Sequence, residues 1–117
     1  MRIAYQGVTG AYSEAAALLF KPNVDLCPRP SFEGVFAAVE AGEATHGILP
    51  IENTIGGTIH RNYDLLLEHE LAIVAEVKLP VVHNLLVKPG TTLDQVKRVY
   101  SHPQGLAQCE RFLRTLK

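Results

Sequence analysis

The chain of 117 residues carries 11 Lys and Arg against 12 Asp and Glu, which gives a formal net charge of -1. Its length is typical of one small domain, ~100 to 150 residues. Positive and negative charges are nearly balanced and form no basic stripe, so we do not expect nucleic acid as a partner. No apolar run reaches the ~18 residues of a membrane span. Because the first residues also turn polar too early for a signal peptide, we expect a cytoplasmic protein with no membrane partner.

Metal and disulfide chemistry are not predicted. Cys27 and Cys109 lie far apart, and neither has a CxxC partner or a histidine at metal-ligand spacing. His60 and His69 are also too far apart on their predicted helix to hold one ion. We therefore interpret both cysteines as reduced packing residues and expect no metal site.

Strands and helices alternate from the start of the chain. A strand is predicted over residues 2–5, and Ser13 is a suitable N-cap for a helix that carries the apolar residues 18–20. A second strand covers residues 24–26. Ser31 caps the next helix, in which apolar residues recur at i, i+3, i+4 and i+7: Phe32, Val35, Phe36 and Val39. Gly42 lies where the C-terminal cap of this helix is expected.

A third strand and helix complete this pattern. The apolar run at residues 47–51 ends in Glu52 and Asn53, and a Gly56-Gly57 turn leads to a helix with one apolar face, formed by Ile59, Tyr63, Leu66 and Leu67. Strands separated by helices favour crossover connections. We therefore predict an α/β fold with a mainly parallel sheet and helices on both faces, in which ligands bind at the carboxyl ends of the strands.

The pattern changes after residue 71, because two strand-like stretches follow each other up to residue 87 without a helix. We place a domain crossing near Pro80, with a first α/β lobe at residues 1–79 and the beginning of a second at 80–117. Thr92 and Gln95 fit a capping box, a strand covers residues 98–101, and a last helix turns four apolar residues inward: Leu106, Cys109, Leu113 and Leu116. That helix reaches Lys117 without a cap, so we expect the second lobe to be incomplete.

Polar and small residues gather at three strand-to-helix junctions, residues 6–13, 52–58 and 101–104. The first amides of a helix lack internal partners and lie at the positive end of its dipole, so these junctions favour a small organic anion. The alternative is that Ser13, Thr58 and Ser101 are ordinary caps. The glycines at the first two junctions can likewise serve tight turns: Gly7, Gly10, Gly56 and Gly57. The spacing of Gly7 and Gly10 is too short for a dinucleotide-binding fingerprint.

Two titratable residues at these junctions each have two possible roles. Glu52 follows a run that should be buried, so its carboxyl either anchors the backbone or transfers protons. His102 lies beside Ser101 and Gln104 and either faces a ligand or is a turn residue before Pro103.

Three segments, YQGVTGAYSEAA, LPIENTIGGTIHRNYDLL and SHPQGLAQC, resemble the ordered signature segments of the prephenate dehydratase family, to which the arogenate dehydratases are similar. The resemblance implies a fold like a type 2 periplasmic binding protein, with two α/β lobes facing each other across a cleft. It implies a lyase that converts prephenate to phenylpyruvate in phenylalanine biosynthesis by decarboxylating dehydration, without a metal or cofactor.

The resemblance also implies the site residues. We assign catalytic roles to Glu52 and His102, and substrate binding to a second set: Ser13, Asn53, Thr54, Gly56, Gly57, Ser101 and Gln104. The family often has serine where this chain has Thr54, which keeps the hydroxyl. The family's Thr-Arg-Phe motif does not occur in these residues. We therefore expect an incomplete catalytic domain without a regulatory ACT domain. The alternative is a non-catalytic module of the same fold that binds small anions; in either case we expect a homo-oligomer.

Overall fold

The structure is a computed structural model that describes residues 1–53 and 57–116. Two predicted site residues, Thr54 and Gly56, lie outside the described residues. Backbone contacts divide the described chain into two compact units, one of residues 1–53 and 57–80 and one of residues 81–116. Whether these units are two lobes of one catalytic domain stays a prediction.

The first unit is built on three parallel strands. In chain order its elements are β1 (Arg2–Gln6), α1 (Tyr12–Phe20), β2 (Asp25–Arg29), α2 (Phe32–Glu40) and β3 (His46–Ile48). The strand order is β2-β1-β3, with Arg2 opposite Asp25 and Ile3 opposite His46. Each parallel neighbour is reached through a helix, so the predicted parallel α/β sheet is confirmed.

The central strand β1 is covered on both faces. Its consecutive residues Ile3, Ala4 and Tyr5 are at most 2% exposed, and successive side chains of a strand point to opposite faces. On one face, Ala4 belongs to a core cluster with Cys27, Val35, Ala38 and Ala44. Burial on both sides is the pattern of a parallel sheet enclosed by helices.

Helix α2 begins and ends as its sequence predicts. The Ser31 hydroxyl accepts a hydrogen bond from the Gly34 amide at 3.1 Å. At the other end Gly42 has a φ of 73°, and its amide donates to the Val39 carbonyl at 3.0 Å. Glycine adopts this left-handed conformation at a lower cost than residues with a side chain, which explains why the helix stops there.

Helix α1 is capped differently from the prediction. It begins at Tyr12 after Ala11, so Ser13 lies inside the first turn and is not the N-cap. The Glu14 carboxylate instead accepts a hydrogen bond from the Gly10 amide at 2.5 Å. An acid in the first turn of α1 thus binds a backbone amide just before the helix, and the Ser13 hydroxyl does not cap it.

A short hairpin follows the sheet. Strands β4 (Glu52–Asn53) and β5 (Gly57–Thr58) are antiparallel, with Glu52 opposite Thr58. Helix α3 (His60–Glu68) then buries Asn62 and Leu65. The predicted apolar face of α3 is wrong at Tyr63 and Leu67, which are 45% and 87% exposed.

The predicted strands between residues 71 and 101 are wrong, because no strand is assigned to any of those residues. A strand needs a neighbour for its backbone N–H and C=O groups, and no described residue pairs with this stretch. In the second unit the capping box is present, with the Thr92 amide donating to Gln95 Oε1 at 3.0 Å. Two short helices follow, α4 (Pro103–Gln108) and α5 (Glu110–Leu113), so the predicted last helix is interrupted at Cys109.

Candidate functional site

Glu52 and Asn53 occupy the whole of β4, directly after the parallel sheet. Glu52 is exposed and Asn53 is half-buried, and across the hairpin they face Thr58 and Gly57. An exposed carboxylate can contact a ligand, whereas a carboxylate that served only as a core anchor would be buried. This placement is compatible with a role for Glu52 in ligand contact or proton transfer, and that role stays a prediction.

The chain just before β4 is held by α3. The Pro50 carbonyl accepts a hydrogen bond from Asn62 Nδ2 at 2.7 Å, and the Ile51 carbonyl accepts one from the Ile59 amide at 2.9 Å. Asn62 is completely buried, and its Oδ1 atom has no donor among the described residues. Two consecutive carbonyls are therefore fixed immediately before Glu52.

Asn62 was not identified from the sequence. Its signal was its spacing, since Ile59, Asn62 and Leu65 recur every third residue and mark the buried side of α3. The prediction chose another face of the helix, with Tyr63 and Leu67, because its residues are more apolar. A polar residue on an otherwise apolar helical face is a useful indicator of a buried hydrogen bond.

The turn before α1 contains Ser13 and two glycines in the left-handed region. Gly7 and Gly10 have φ values of 121° and 91°, and the Gly7 amide donates to the Arg29 carbonyl at 2.9 Å. Ser13 is half-buried in the first turn of α1. Because the Gly10 amide already binds the Glu14 carboxylate, an anionic ligand at this turn would compete with a carboxylate of the chain itself.

In the second unit, the start of α4 brings three predicted residues together. His102 is the N-cap, and its Nδ1 atom accepts a hydrogen bond from the Gln104 amide at 3.2 Å. Since Nδ1 accepts, a proton on the neutral ring lies on Nε2. Gly105 leaves room for the Ser101 hydroxyl, because a Cβ atom at position 105 would lie 2.9 Å from Ser101 Oγ.

An ion pair also connects helix α3 to helix α2. Arg61 Nε lies 3.0 Å from Glu33 Oε1, and Arg61 Nη1 lies 3.0 Å from Glu68 Oε1. A backbone hydrogen bond at Glu33, followed by the side-chain bond from Arg61, lowers the pKa of Glu33. The hydrogen bonds to Glu33 and Glu68 in turn raise the pKa of Arg61.

The described chain contains neither a metal-binding cluster nor a membrane-spanning helix. No three His, Cys, Asp or Glu residues within it are grouped so that they could hold a metal ion. Among the helices that the structure describes, none is long and apolar enough to cross a membrane.

The enclosed parallel sheet, with polar residues after its third strand, defines a domain of the α/β class. A family model described as prephenate dehydratase matches residues 3–117. The chain belongs to the prephenate dehydratase family.

Plant dehydratases are similar over almost the whole chain. An Arabidopsis thaliana protein named arogenate dehydratase/prephenate dehydratase 6, chloroplastic, is 58% identical over 99% of this chain and 28% of its own length. Arogenate dehydratase 1 of Petunia hybrida is 58% identical over 94% of this chain and 26% of its own length. The chain thus spans less than a third of the length of these curated relatives.

Two solved structures are similar as well. The prephenate dehydratase of Streptococcus mutans is 35% identical with a TM-score of 0.55, and the match covers 61% of this chain and 37% of that one. A protein described as GqqA, a novel type of quorum quenching acylase, is 36% identical with a TM-score of 0.81 over 99% of this chain and 42% of that one.

Proposed function

We propose that this chain contributes to a prephenate or arogenate dehydratase, a carbon-oxygen lyase of phenylalanine biosynthesis. The observation that carries the proposal is 58% identity, across 99% of the chain, to a plant protein named for both activities. For prephenate, the reaction removes the ring hydroxyl and releases the ring carboxylate as carbon dioxide, which leaves phenylpyruvate. The expected homo-oligomer stays a prediction.

The chemistry requires orientation more than activation. Prephenate is a dianion in which loss of hydroxyl and carbon dioxide makes an aromatic ring, and aromatisation supplies the driving force. An enzyme has to orient the two carboxylates, protonate the departing hydroxyl and provide a partly desolvated site into which carbon dioxide leaves. Side chains that donate hydrogen bonds and a proton donor suffice for these tasks.

Within the first unit, we assign carboxylate or hydroxyl binding to Asn53, with Gly57 and Ser13 as further substrate-binding residues. Thr54 and Gly56, which lie outside the described residues, are assigned to the same role. Glu52 orients this segment or transfers a proton. Support for the assignment comes from the position of β4 after the sheet and from the fixed carbonyls that precede it.

Within the second unit, Ser101 and Gln104 are proposed to bind substrate, and His102 is proposed to exchange a proton. The support is local: His102 Nδ1 is already an acceptor for the Gln104 amide, so Nε2 is the nitrogen that can exchange a proton with a ligand. All three residues are exposed.

The test is activity in a chimera in which this chain replaces the 116 matching residues of the Arabidopsis relative. Phenylpyruvate is measured from prephenate, and phenylalanine from arogenate, with the acid-driven background subtracted. We expect turnover of at least one substrate, and the ratio of the two rates assigns the preference. An inactive but folded chimera beside an active parent enzyme would contradict the proposal.

The rival function is a small-anion-binding module without chemistry. It predicts that the same chimera binds prephenate in calorimetry and forms no product. The acylase described for one solved structure is a weaker candidate, because that protein is 36% identical to this chain whereas the plant dehydratases reach 58%. Release of a carboxylic acid from an acyl-amide substrate by the chimera would favour it.

The expected cytoplasmic location is not supported by the relatives' names, since the Arabidopsis dehydratases are named chloroplastic. We propose the plastid stroma as the alternative compartment. Fractionation of the cells that express the protein separates the two locations.

A further inference from the structure

Helix α3 holds two consecutive carbonyls at the entrance to β4. Asn62 Nδ2 donates to the Pro50 carbonyl at 2.7 Å, and the Ile59 amide donates to the Ile51 carbonyl at 2.9 Å. Fixing both carbonyl directions constrains the backbone that leads into Glu52 and Asn53. The Ile59 bond is part of the backbone at the start of α3, whereas the Asn62 bond depends on the identity of one side chain.

Asn62 is an unusual residue for its position. It is 0% exposed, and it is the one fully buried polar side chain among the described residues. Its Oδ1 atom is buried without a donor in the described chain, which destabilises the folded state. An apolar residue would avoid this loss, so packing alone does not account for an asparagine. The contribution that an apolar residue cannot make is the donor that binds the Pro50 carbonyl.

We propose that Asn62 is a positioning residue that sets where Glu52 and Asn53 present their side chains to the substrate. The proposal rests on the proposed dehydratase function, in which these two residues contact or orient the substrate. Asn62 itself is buried and acts through the backbone at Pro50. Loss of its Nδ2 donor would release the Pro50 carbonyl and allow β4 to shift.

The first test measures amide hydrogen exchange in the full 117-residue chain and in its Asn62→Leu variant. We expect the Ile59 amide to exchange about ten-fold faster in the variant, because its acceptor at Ile51 is next to the released carbonyl. The Gly7 and Thr45 amides, which bond to the Arg29 and Arg2 carbonyls within the sheet region, should keep their rates. An unchanged Ile59 rate, or an equal rise at all three amides, would overturn the proposal.

The second test measures steady-state kinetics of the chimera described above. A smaller folded fraction lowers the apparent kcat and leaves KM unchanged, whereas a displaced binding residue raises KM. We expect Asn62→Leu to raise KM and to lower kcat/KM by about ten-fold or more at an unchanged folded fraction.

Leu65→Val is the matched control, because Leu65 is 1% exposed and lies one turn further along the same helix. It should lower the thermal midpoint and leave KM unchanged. An active chimera whose KM is unaffected by Asn62→Leu, or equally affected by Leu65→Val, contradicts the role of Asn62. If the unmodified chimera is inactive, the dehydratase proposal fails, and the exchange rates decide separately whether Asn62 positions β4.

Discussion

Asn53 offers an amide that can both donate to a carboxylate and accept from a hydroxyl, without carrying a charge of its own. Its half-buried position on β4 suits binding, because a partly desolvated hydrogen bond is stronger than one in open water. Glu52 beside it is exposed. Of this pair, Asn53 is therefore the better candidate for holding a group of the substrate.

We predict that Asn53→Ala lowers kcat/KM of the chimera by roughly 10- to 100-fold, the effect of losing about 1.5–3 kcal/mol from hydrogen bonds to a charged group. The control is Asn84→Ala, which removes an exposed amide that bonds to the Val82 carbonyl. Equal kcat/KM in Asn53→Ala and the unmodified chimera would remove Asn53 from the site.

Single residues also show where sequence interpretation succeeds. Glu52 and Asn53 could be placed after the third strand because the apolar run before them is a local signal. The expected burial of that run is wrong, since the residues of β3 are half-buried or exposed. Asn62 could not be found in the same way, because its hydrogen bond to Pro50 joins residues 12 positions apart. The sequence shows that a polar residue is present but does not show which carbonyl it meets.

The serines Ser13 and Ser31, both predicted as caps, illustrate the same limit for helices. Ser31 and Ser13 both precede apolar runs, yet only the Ser31 hydroxyl caps its helix. At α1 the Glu14 carboxylate binds the Gly10 amide, and the helix begins one residue before Ser13. The residue at which a helix begins depends on geometry that residue preferences do not determine.

We predict that Ser31→Ala lowers the free energy of unfolding by about 1 kcal/mol, because the Gly34 amide loses its acceptor. Ser13→Ala, the same change in a residue that caps nothing, should lower it by less than ~0.5 kcal/mol. Urea unfolding followed by circular dichroism measures both. A larger loss for Ser13 than for Ser31 would reverse the assignment of the caps.

The contact between α2 and α3 should depend on pH. The pKa of Glu33 is lowered in the folded protein, so its carboxylate stabilises the fold fully above the ordinary value of 4.5, and this contribution is lost as the pH falls through the lowered pKa. We predict a small fall in Tm for Glu33→Gln at neutral pH and no difference in strong acid.

Arg61→Gln should give a smaller pH dependence in the same direction, because it removes the side-chain bond to Glu33 but leaves the backbone hydrogen bond, which is the larger cause of the lowered pKa. The Tm of the double variant should fall by less than the sum of the decreases in the two single variants. A difference between Glu33→Gln and the unmodified protein that persists at low pH would show that the effect comes from packing and not from the charge.

The parallel sheet and its three helices were predictable because each element carries its own signal: alternating or helical apolar spacing, a cap at Ser31 and a terminating glycine at Gly42. The β4–β5 hairpin was not, since two-residue strands have no period to recognise. The apolar stretch at residues 71–87 has strand-like composition, but a strand forms only beside a partner, and that requirement is not local.

The two units of the molecule differ in how much they bury. The buried hydrophobic residues of the described chain all lie in the first unit, between Ile3 and Leu65, and no described residue from 81 to 116 is buried. A chain segment without a core cannot offset its loss of conformational entropy.

We predict that a piece containing residues 1–80 unfolds cooperatively on heating and keeps its helical circular dichroism. A piece containing residues 81–117 should remain unfolded, as expected for fewer than ~40 residues without a disulfide or a core. The intact chain is the control for both. Cooperative unfolding of the shorter piece would show that the second unit is an independent domain.

The strand order β2-β1-β3 also determines when the protein can fold during its synthesis. Of the three strands of the sheet, β1 leaves the ribosome first and takes the central position, yet Ile3 pairs with His46, which is made much later. At ~5 to 20 residues per second, the ribosome needs several seconds to supply that partner. During this interval the apolar side chains of β1 are uncovered, and the nascent chain is a natural substrate for chaperones that bind short hydrophobic segments.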